Sequence, residues 1–321
     1  MNYDMSVDVF HFQMDTIQHE QTLNESLLKL RFDKNLNIIE ENQIVYESVV
    51  NSIKNFIINI FKSIVDFIKK IIRRLTNIGP DLRKKKMKKL SKEKYGSDSI
   101  TTYTFRKGVN YAKNQCDEFK NSVSDVLIKI SSINRSIQMM VSKLVVDGFM
   151  DAIRKDIEFE NIEDFYTSLI KKFNYNYLKP SAKDFQTSFA YEFIYDIFSI
   201  ETFDLDSEEN VREFESNYVN MASLFDDMYK FSIDRAKNAL KEAEKLVKYL
   251  DKETTLNGKT MDASVIKPEY IDELKKYVKT YGSIIVAFLN INTLIISEYN
   301  SILKKMDDQT IGGNVWCKNI I

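Results

Sequence analysis

The chain has 321 residues, of which 44% are hydrophobic, and its net charge is −1. It contains only 8 glycines and 3 prolines, whereas glycine alone makes up roughly 7% of an average protein. Gly-rich phosphate loops and dinucleotide-binding turns need glycine, so this composition argues against α/β enzyme folds and favours long helices with few connections.

The first 41 residues have a mixed pattern and are predicted to form a separate N-terminal segment. They lack a basic stretch followed by an apolar stretch, so no secretory signal is expected. The only two histidines, His11 and His19, lie here. They are eight residues apart, which is not the i, i+4 spacing of a helical metal-binding pair.

Residues 42–77 are predicted to form one long amphipathic helix that ends at Gly79-Pro80. Its apolar face is broad and rich in Phe and Ile, and its opposite face is basic. Such a face is most often the core side of a helix in a bundle, but it is also typical of a helix that lies in a membrane interface. The residues of this predicted partner or membrane face are Phe56, Ile60, Ile64, Phe67 and Ile71.

A strongly basic stretch follows the amphipathic helix. Residues 69–94 hold twelve Lys or Arg against two acidic residues, a net charge of +10, so the rest of the chain carries about −11. Three interpretations remain open: a solvated helix end, a contact with nucleic-acid phosphate, and a contact with anionic lipid or an acidic protein. The predicted anion-contacting residues are Arg83, Lys84, Lys85, Lys86, Lys88, Lys89 and Lys92.

Apolar residues alternate at spacings of three and four from Val109 to Leu144, which is about five heptads. A long helix from Ser207 to Lys252, with Ser207-Glu208-Glu209-Asn210 as its N-cap, and another opened by Pro268 show related patterns. Asn292 is the one strongly polar member of the last stripe, the kind of buried residue that fixes helix register. Between them, residues 148–206 are rich in Phe and Tyr and are predicted to form short helices at 162–173 and 181–198.

These patterns predict an all-α fold: an elongated bundle of long heptad-patterned helices with a small aromatic-rich helical cap. The predicted segments are 1–41 (N-terminal segment), 42–147 (amphipathic basic helix and first heptad helix), 148–206 (short-helix cap), 207–307 (long helical hairpin) and 308–321 (tail), with 42–307 forming one bundle. The most apolar run, 284–296, is interrupted by Asn290, Asn292 and Thr293, so no membrane span is predicted.

The sequence offers no pattern typical of catalysis. Cys116 and Cys317 are far apart, and Cys116 falls on an apolar helix face, which predicts two reduced thiols rather than a disulfide framework. We find no nucleophile elbow and no phosphate-binding loop. The chain is therefore predicted not to be an enzyme, with no catalytic residue, cofactor, metal or small-molecule substrate.

Residues 23–75 contain Leu23-Asn24-Glu25-Ser26-Leu27, then Tyr46-Glu47-Ser48-Val49-Val50, then the Phe/Ile/Lys-rich helix. This stretch resembles the N-terminal regions of virion structural proteins from large tailed bacteriophages. The resemblance implies a location in the virion or the host cytoplasm, and partners that are other virion proteins, copies of the same chain, or DNA. The Leu/Ile-x-Glu triplets at 23–25 and 38–40 also resemble sites cut by head-maturation proteases of some tailed phages, which implies that up to the first 41 residues form a removable head-targeting segment.

Three functional hypotheses follow from the sequence. The first is a non-enzymatic structural or internal virion protein whose basic segment contacts DNA or an acidic partner. The second is a membrane-active α-helical protein, similar in architecture to pore-forming toxins, which acts through residues 46–75. The third is a cytoplasmic nucleic-acid-binding or scaffolding protein.

Overall fold

A computed structural model describes residues 39–78, 99–143, 159–204, 206–252 and 268–311, together with Gln18 and Gln21. Of these residues, 83% are helical, which confirms the prediction of a mostly helical chain. The elements of this part are, in chain order, α1 (Ile39–Ile78), β1 (Ser99–Phe105), α2 (Val109–Lys143), α3 (Ile162–Phe173), α4 (Phe185–Ile197), β2 (Phe198–Asp204), α5 (Glu208–Lys252) and α6 (Pro268–Ile311). Of the predicted tail 308–321, residues 308–311 belong to α6, and residues from 312 onward lie outside the described residues. The predicted N-terminal segment up to residue 38 also lies outside them, except for Gln18 and Gln21.

The four long helices begin and end close to the predicted positions because their start signals are local. Ser207 caps α5, since its side-chain Oγ accepts a hydrogen bond from the backbone N–H of Asn210 at 3.2 Å. Pro268 is the first residue of α6, where its missing N–H removes no helical hydrogen bond. The short helix α3 is capped in the same way by Asn161, whose side chain accepts from the N–H of Asp164.

The chain is not purely helical, because β1 and β2 form a two-stranded antiparallel sheet. The sheet is a small addition to a mostly helical fold, and it differs from the short-helix cap predicted for 148–206, since β2 follows directly on α4, which ends at Ile197. Both strands are rich in β-branched and aromatic residues, which suit a pleated, half-buried surface. Their pairing joins residues far apart in the sequence, from Phe105 opposite Phe198 to Ser99 opposite Asp204.

The described residues fall into two compact units that do not follow chain order. The first unit takes its residues from Met1–Lys70, Ser124–Lys183 and Ala236–Leu289. Two ion pairs place α1 beside α5 there, with Lys69 Nζ at 3.3 Å from Glu244 Oε1 and Lys62 Nζ at 4.0 Å from Asp251 Oδ1. The later lysine of α1 pairs with the earlier acidic residue of α5, so these two helices run antiparallel.

The aromatic helix α3 packs on α6 in this first unit. The rings of Phe165 and Phe288 are 5.4 Å apart and meet edge to face, an arrangement favoured by the ring quadrupoles. Phe165, Leu169 and Phe173 are buried at spacings of four, so α3 turns one side toward the core. The aromatic residues of α3 are therefore core residues.

The second unit takes its residues from Ile71–Val123, Asp184–Arg235 and Asn290–Ile321, and it contains the sheet. In this unit the ring of Tyr299 of α6 lies 4.8 Å from that of Phe198 and 5.4 Å from that of Phe225. The Tyr299 hydroxyl donates a 2.9 Å hydrogen bond to the backbone carbonyl of Met221. One aromatic side chain therefore joins α6, α5 and the start of β2. The segment boundaries proposed from the sequence stay a prediction.

Candidate functional site

The apolar face of α1 is buried. Phe56, Ile60, Ile64, Phe67 and Ile71 expose between 0% and 5% of their surface. The polar residues of the same helix, such as Lys62 and Asp66, are exposed, and two lysines of this face form the ion pairs with α5. In this structure the face predicted to contact a membrane or a partner is covered by the chain itself.

The predicted anion-contacting residues from Arg83 to Lys92 lie outside the described residues, as do His11, His19 and Cys317. Their proposed roles rest on the sequence alone.

One helix of the described part is long and apolar enough to cross a membrane by length and composition. It is the Lys275–Met306 portion of α6, which has a mean hydropathy of 1.5 over its most apolar stretch. Of that stretch, 78% is buried inside the chain. Buried core helices pass the same test. The stretch is also interrupted by buried polar residues, including Asn292, whose Oδ1 accepts a 2.9 Å hydrogen bond from Ser232 Oγ of α5. Asn292 is thus buried and joined to α5.

A polar cluster that the sequence did not suggest joins the start of α2 to the end of α4. Lys107 Nζ donates to Asp196 Oδ1 at 2.8 Å and to the Tyr111 hydroxyl at 3.0 Å, and that hydroxyl donates to Asp196 Oδ2 at 2.5 Å. The turn between Lys107 and α2 is made by Gly108, whose φ of +83° is a conformation that other residues rarely adopt. Lys107 and Tyr111 are 89 and 85 positions from Asp196 in the sequence, so no local spacing could have indicated this cluster.

The protonation of this cluster favours a structural role over a catalytic one. The hydrogen bond to Asp196 raises the pKa of Lys107, and burial, helped by the bond to Asp196, raises the pKa of Tyr111. A lysine nucleophile or a tyrosine general base would need a lowered pKa to be active near neutral pH. Both groups therefore keep their protons, and the cluster holds the turn before α2 against α4.

Cys116 of α2 is fully buried, which agrees with its predicted place on an apolar face. Burial raises the pKa of its thiol from 9.0 to about 12. The thiolate is the reactive form of cysteine, so Cys116 is inert near neutral pH. It contributes to packing rather than to chemistry.

The raised pKa of Cys116 predicts a loss of stability at alkaline pH. A thiol whose pKa is higher in the folded state stabilises the fold fully below pH 9, and this contribution is lost as the pH rises toward about 12. Between pH 9 and 10 we expect the free energy of unfolding in urea to fall with a slope approaching about 1.4 kcal/mol per pH unit. Cys116→Ala should remove the share of this slope that the thiol contributes and leave the share of tyrosines such as Tyr299, whose pKa burial also raises. An unchanged slope in that variant would contradict the assignment to Cys116.

Comparisons with protein-family models, with curated proteins and with solved structures find no match for this chain. Within the described residues, no three His, Cys, Asp or Glu side chains are grouped so that they could hold a metal ion.

Proposed function

We propose that this chain is a non-enzymatic structural or internal protein of a tailed-phage virion, which assembles with other virion proteins or with itself through its helical faces. The proposal rests on the roles of the side chains in the described residues, which are structural. Their apolar stripes build cores, as on α1, while the reactive groups Cys116, Lys107 and Tyr111 are held in protonated, unreactive forms. The resemblance of residues 23–75 to virion structural proteins supports a location in the virion.

We also infer that the long helices pack as a heptad-spaced bundle capped by the aromatic helices. The two ion pairs between α1 and α5 support this packing, because Lys62 and Lys69 are seven residues apart and so are Glu244 and Asp251. A seven-residue repeat on both helices is the spacing of coiled-coil packing. The buried alanines Ala236, Ala239 and Ala243 let a neighbouring helix approach α5 closely.

The test of the location is mass spectrometry of purified particles of the phage that encodes the chain. The proposal expects the protein to remain with particles through a density gradient. Its absence from pure particles would end the proposal. A peptide map that starts after Glu40 would support removal of the N-terminal segment, and one that starts at Met1 would contradict it.

The basic segment is proposed to contact packaged DNA. Double-stranded DNA binding should weaken steeply with salt, because each phosphate contact releases counterions. Replacing Arg83, Lys84, Lys85 and Lys86 by Gln should lower the slope of log K against log salt by about 0.9 for each contact removed. If the slope of log K against log salt is equal in the variant and the unaltered protein, these four residues do not contact DNA.

A membrane-active protein is the second candidate, because α6 is apolar and long enough to span a bilayer and α1 has a broad apolar face. In that role the chain must open, since both surfaces are covered in the closed fold. Ile60→Ala weakens the closed fold and should then speed dye release from anionic vesicles. No release from such vesicles by either protein would exclude this candidate.

A further inference from the structure

Among the residues that the structure describes, one edge of the sheet is covered and the other is open. One step beyond the Phe105–Phe198 pair, Arg106 donates its N–H to the Ile197 carbonyl at 2.9 Å. In an antiparallel ladder, pairs that exchange hydrogen bonds alternate with pairs whose N–H and C=O groups point outward. The register therefore turns the backbone groups of Tyr103 away from β2 and those of Ile200 and Thr202 away from β1.

Two side chains confirm this alternation by their own hydrogen bonds. Asn217 of α5 donates to the carbonyl of Tyr103 at 2.8 Å, which covers the outer edge of β1. Asn210 donates to the carbonyl of Asp204 at 2.8 Å, at the far end of β2. Between that end and α4, no hydrogen bond to the outward groups of Ile200 and Thr202 is found among the described residues.

The open edge of β2 is also accessible and apolar at its centre. Ile200 exposes 61% of its surface, and its neighbours Glu201 and Thr202 are exposed too. An exposed edge strand is a ready template for another strand, and proteins usually protect such edges with charged side chains, above all lysine, with proline or with a bulge. β2 contains neither lysine nor proline.

The sequence of β2 and of the turn after it carries charge of one sign, although Glu208 forms a 3.0 Å ion pair with Arg212. The stretch 198–209 contains five acidic residues and no basic residue, and all five are exposed: Glu201, Asp204, Asp206, Glu208 and Glu209. The paired strand β1 contains no charged residue. A strand that added to this edge would meet backbone donors and acceptors, one apolar side chain and a negative field.

We propose that the outer edge of β2 binds an extended, lysine- or arginine-containing segment of a partner polypeptide as a third strand of the sheet. The partner's backbone bonds to the N–H and C=O groups of Ile200 and Thr202, a mode known as β-strand addition. Its basic side chains lie beside Glu201 and Asp204, which sets the charge preference. This inference does not depend on a virion location.

The test uses the full-length protein and a fluorescein-labelled peptide of nine residues that alternates lysine with valine, with affinity measured by fluorescence anisotropy. Ile200→Pro removes the outward N–H and leaves the bonds to β1, because proline is tolerated where an edge N–H faces solvent. It should weaken binding at least about tenfold, whereas Ile200→Thr, which keeps the N–H, should bind nearly as the parent does.

Two further comparisons separate backbone pairing from charge. The same peptide methylated on alternate backbone nitrogens should lose most of its affinity for the unaltered protein, which gives an answer even if Ile200→Pro fails to fold. Glu201→Lys with Asp204→Lys should abolish binding at low salt, while the matched charge reversal Asp66→Lys with Asp227→Lys should not.

Several outcomes would overturn the proposal. These are no binding of the peptide, equal binding of the methylated peptide, and equal binding of a glutamate–valine peptide. If the unaltered protein forms a dimer and Ile200→Pro is a monomer, the edge binds a second copy of the chain instead.

Discussion

Replacing Ile60 by aspartate is expected to unfold the first unit. Ile60 is completely buried on α1, so the carboxylate would be buried or would force the helix out of its core. Burial of an unpaired charge is among the few single changes that destabilise a protein by more than about 4 kcal/mol. Ile60→Ala should cost about 2–5 kcal/mol by lost burial and cavity formation. Urea unfolding followed by circular dichroism measures both.

The control for Ile60→Asp is a substitution on the opposite face of the same helix. Lys62 is half exposed and takes part in a 4.0 Å ion pair with Asp251. Lys62→Ala should therefore change the free energy of unfolding by less than about 1 kcal/mol. If Ile60→Asp were as stable as Lys62→Ala, the face would not be a core face, and a membrane or partner role for α1 would gain support.

The burial of this face also decides how membrane activity can be tested. A loss of vesicle leakage in Ile60→Asp or Phe67→Asp would follow from unfolding as well as from a lost membrane contact, because both side chains are buried. A variant that weakens the closed fold without adding charge separates the two causes. Ile60→Ala should increase leakage if opening exposes a membrane-active face, and it should have no effect on vesicles if the face is only core.

The helices could be predicted from the sequence because their signals are local. The stripes of α1, α2, α5 and α6 repeat at spacings of three and four over many turns, and caps such as Ser207 and Pro268 lie at the first turn. The apolar face of α1 was identified in the same way. The pattern does not distinguish a face covered by the chain itself from a face covered by a partner, because both kinds of face consist of the same apolar residue types.

The sheet could not be predicted, because each strand is stabilised by a segment remote in the sequence. β1 and β2 have seven residues each, and neither alternates strictly between apolar and polar residues, so the pattern does not separate a strand from a loop or a helix end. Thr104 and Ser199 show the dependence on distant partners: their hydroxyl oxygens lie 3.0 Å apart although 95 positions separate them. The Lys107–Asp196 pair was missed for the same reason.

Tyr299 is expected to be the most sensitive position of the second unit. Its side chain is fully buried, its ring contacts Phe198 and Phe225, and its hydroxyl bonds to Met221. Tyr299→Ala should therefore lower the free energy of unfolding by about 3–5 kcal/mol, the range for loss of a large buried aromatic side chain. The measurement is urea unfolding, with near-ultraviolet circular dichroism as the probe of tertiary packing around the aromatic residues.

Tyr299→Phe divides this effect between packing and hydrogen bonding. It keeps the ring and removes only the hydroxyl, so it should cost about 0.5–1.5 kcal/mol, the net value of one hydrogen bond. The Met221 carbonyl lies within α5 and belongs to the backbone of a helix, so losing the hydroxyl does not leave it without every partner. If Tyr299→Phe cost as much as Tyr299→Ala, the hydroxyl rather than the ring would hold α6 to α5, and the aromatic core would be the lesser contribution.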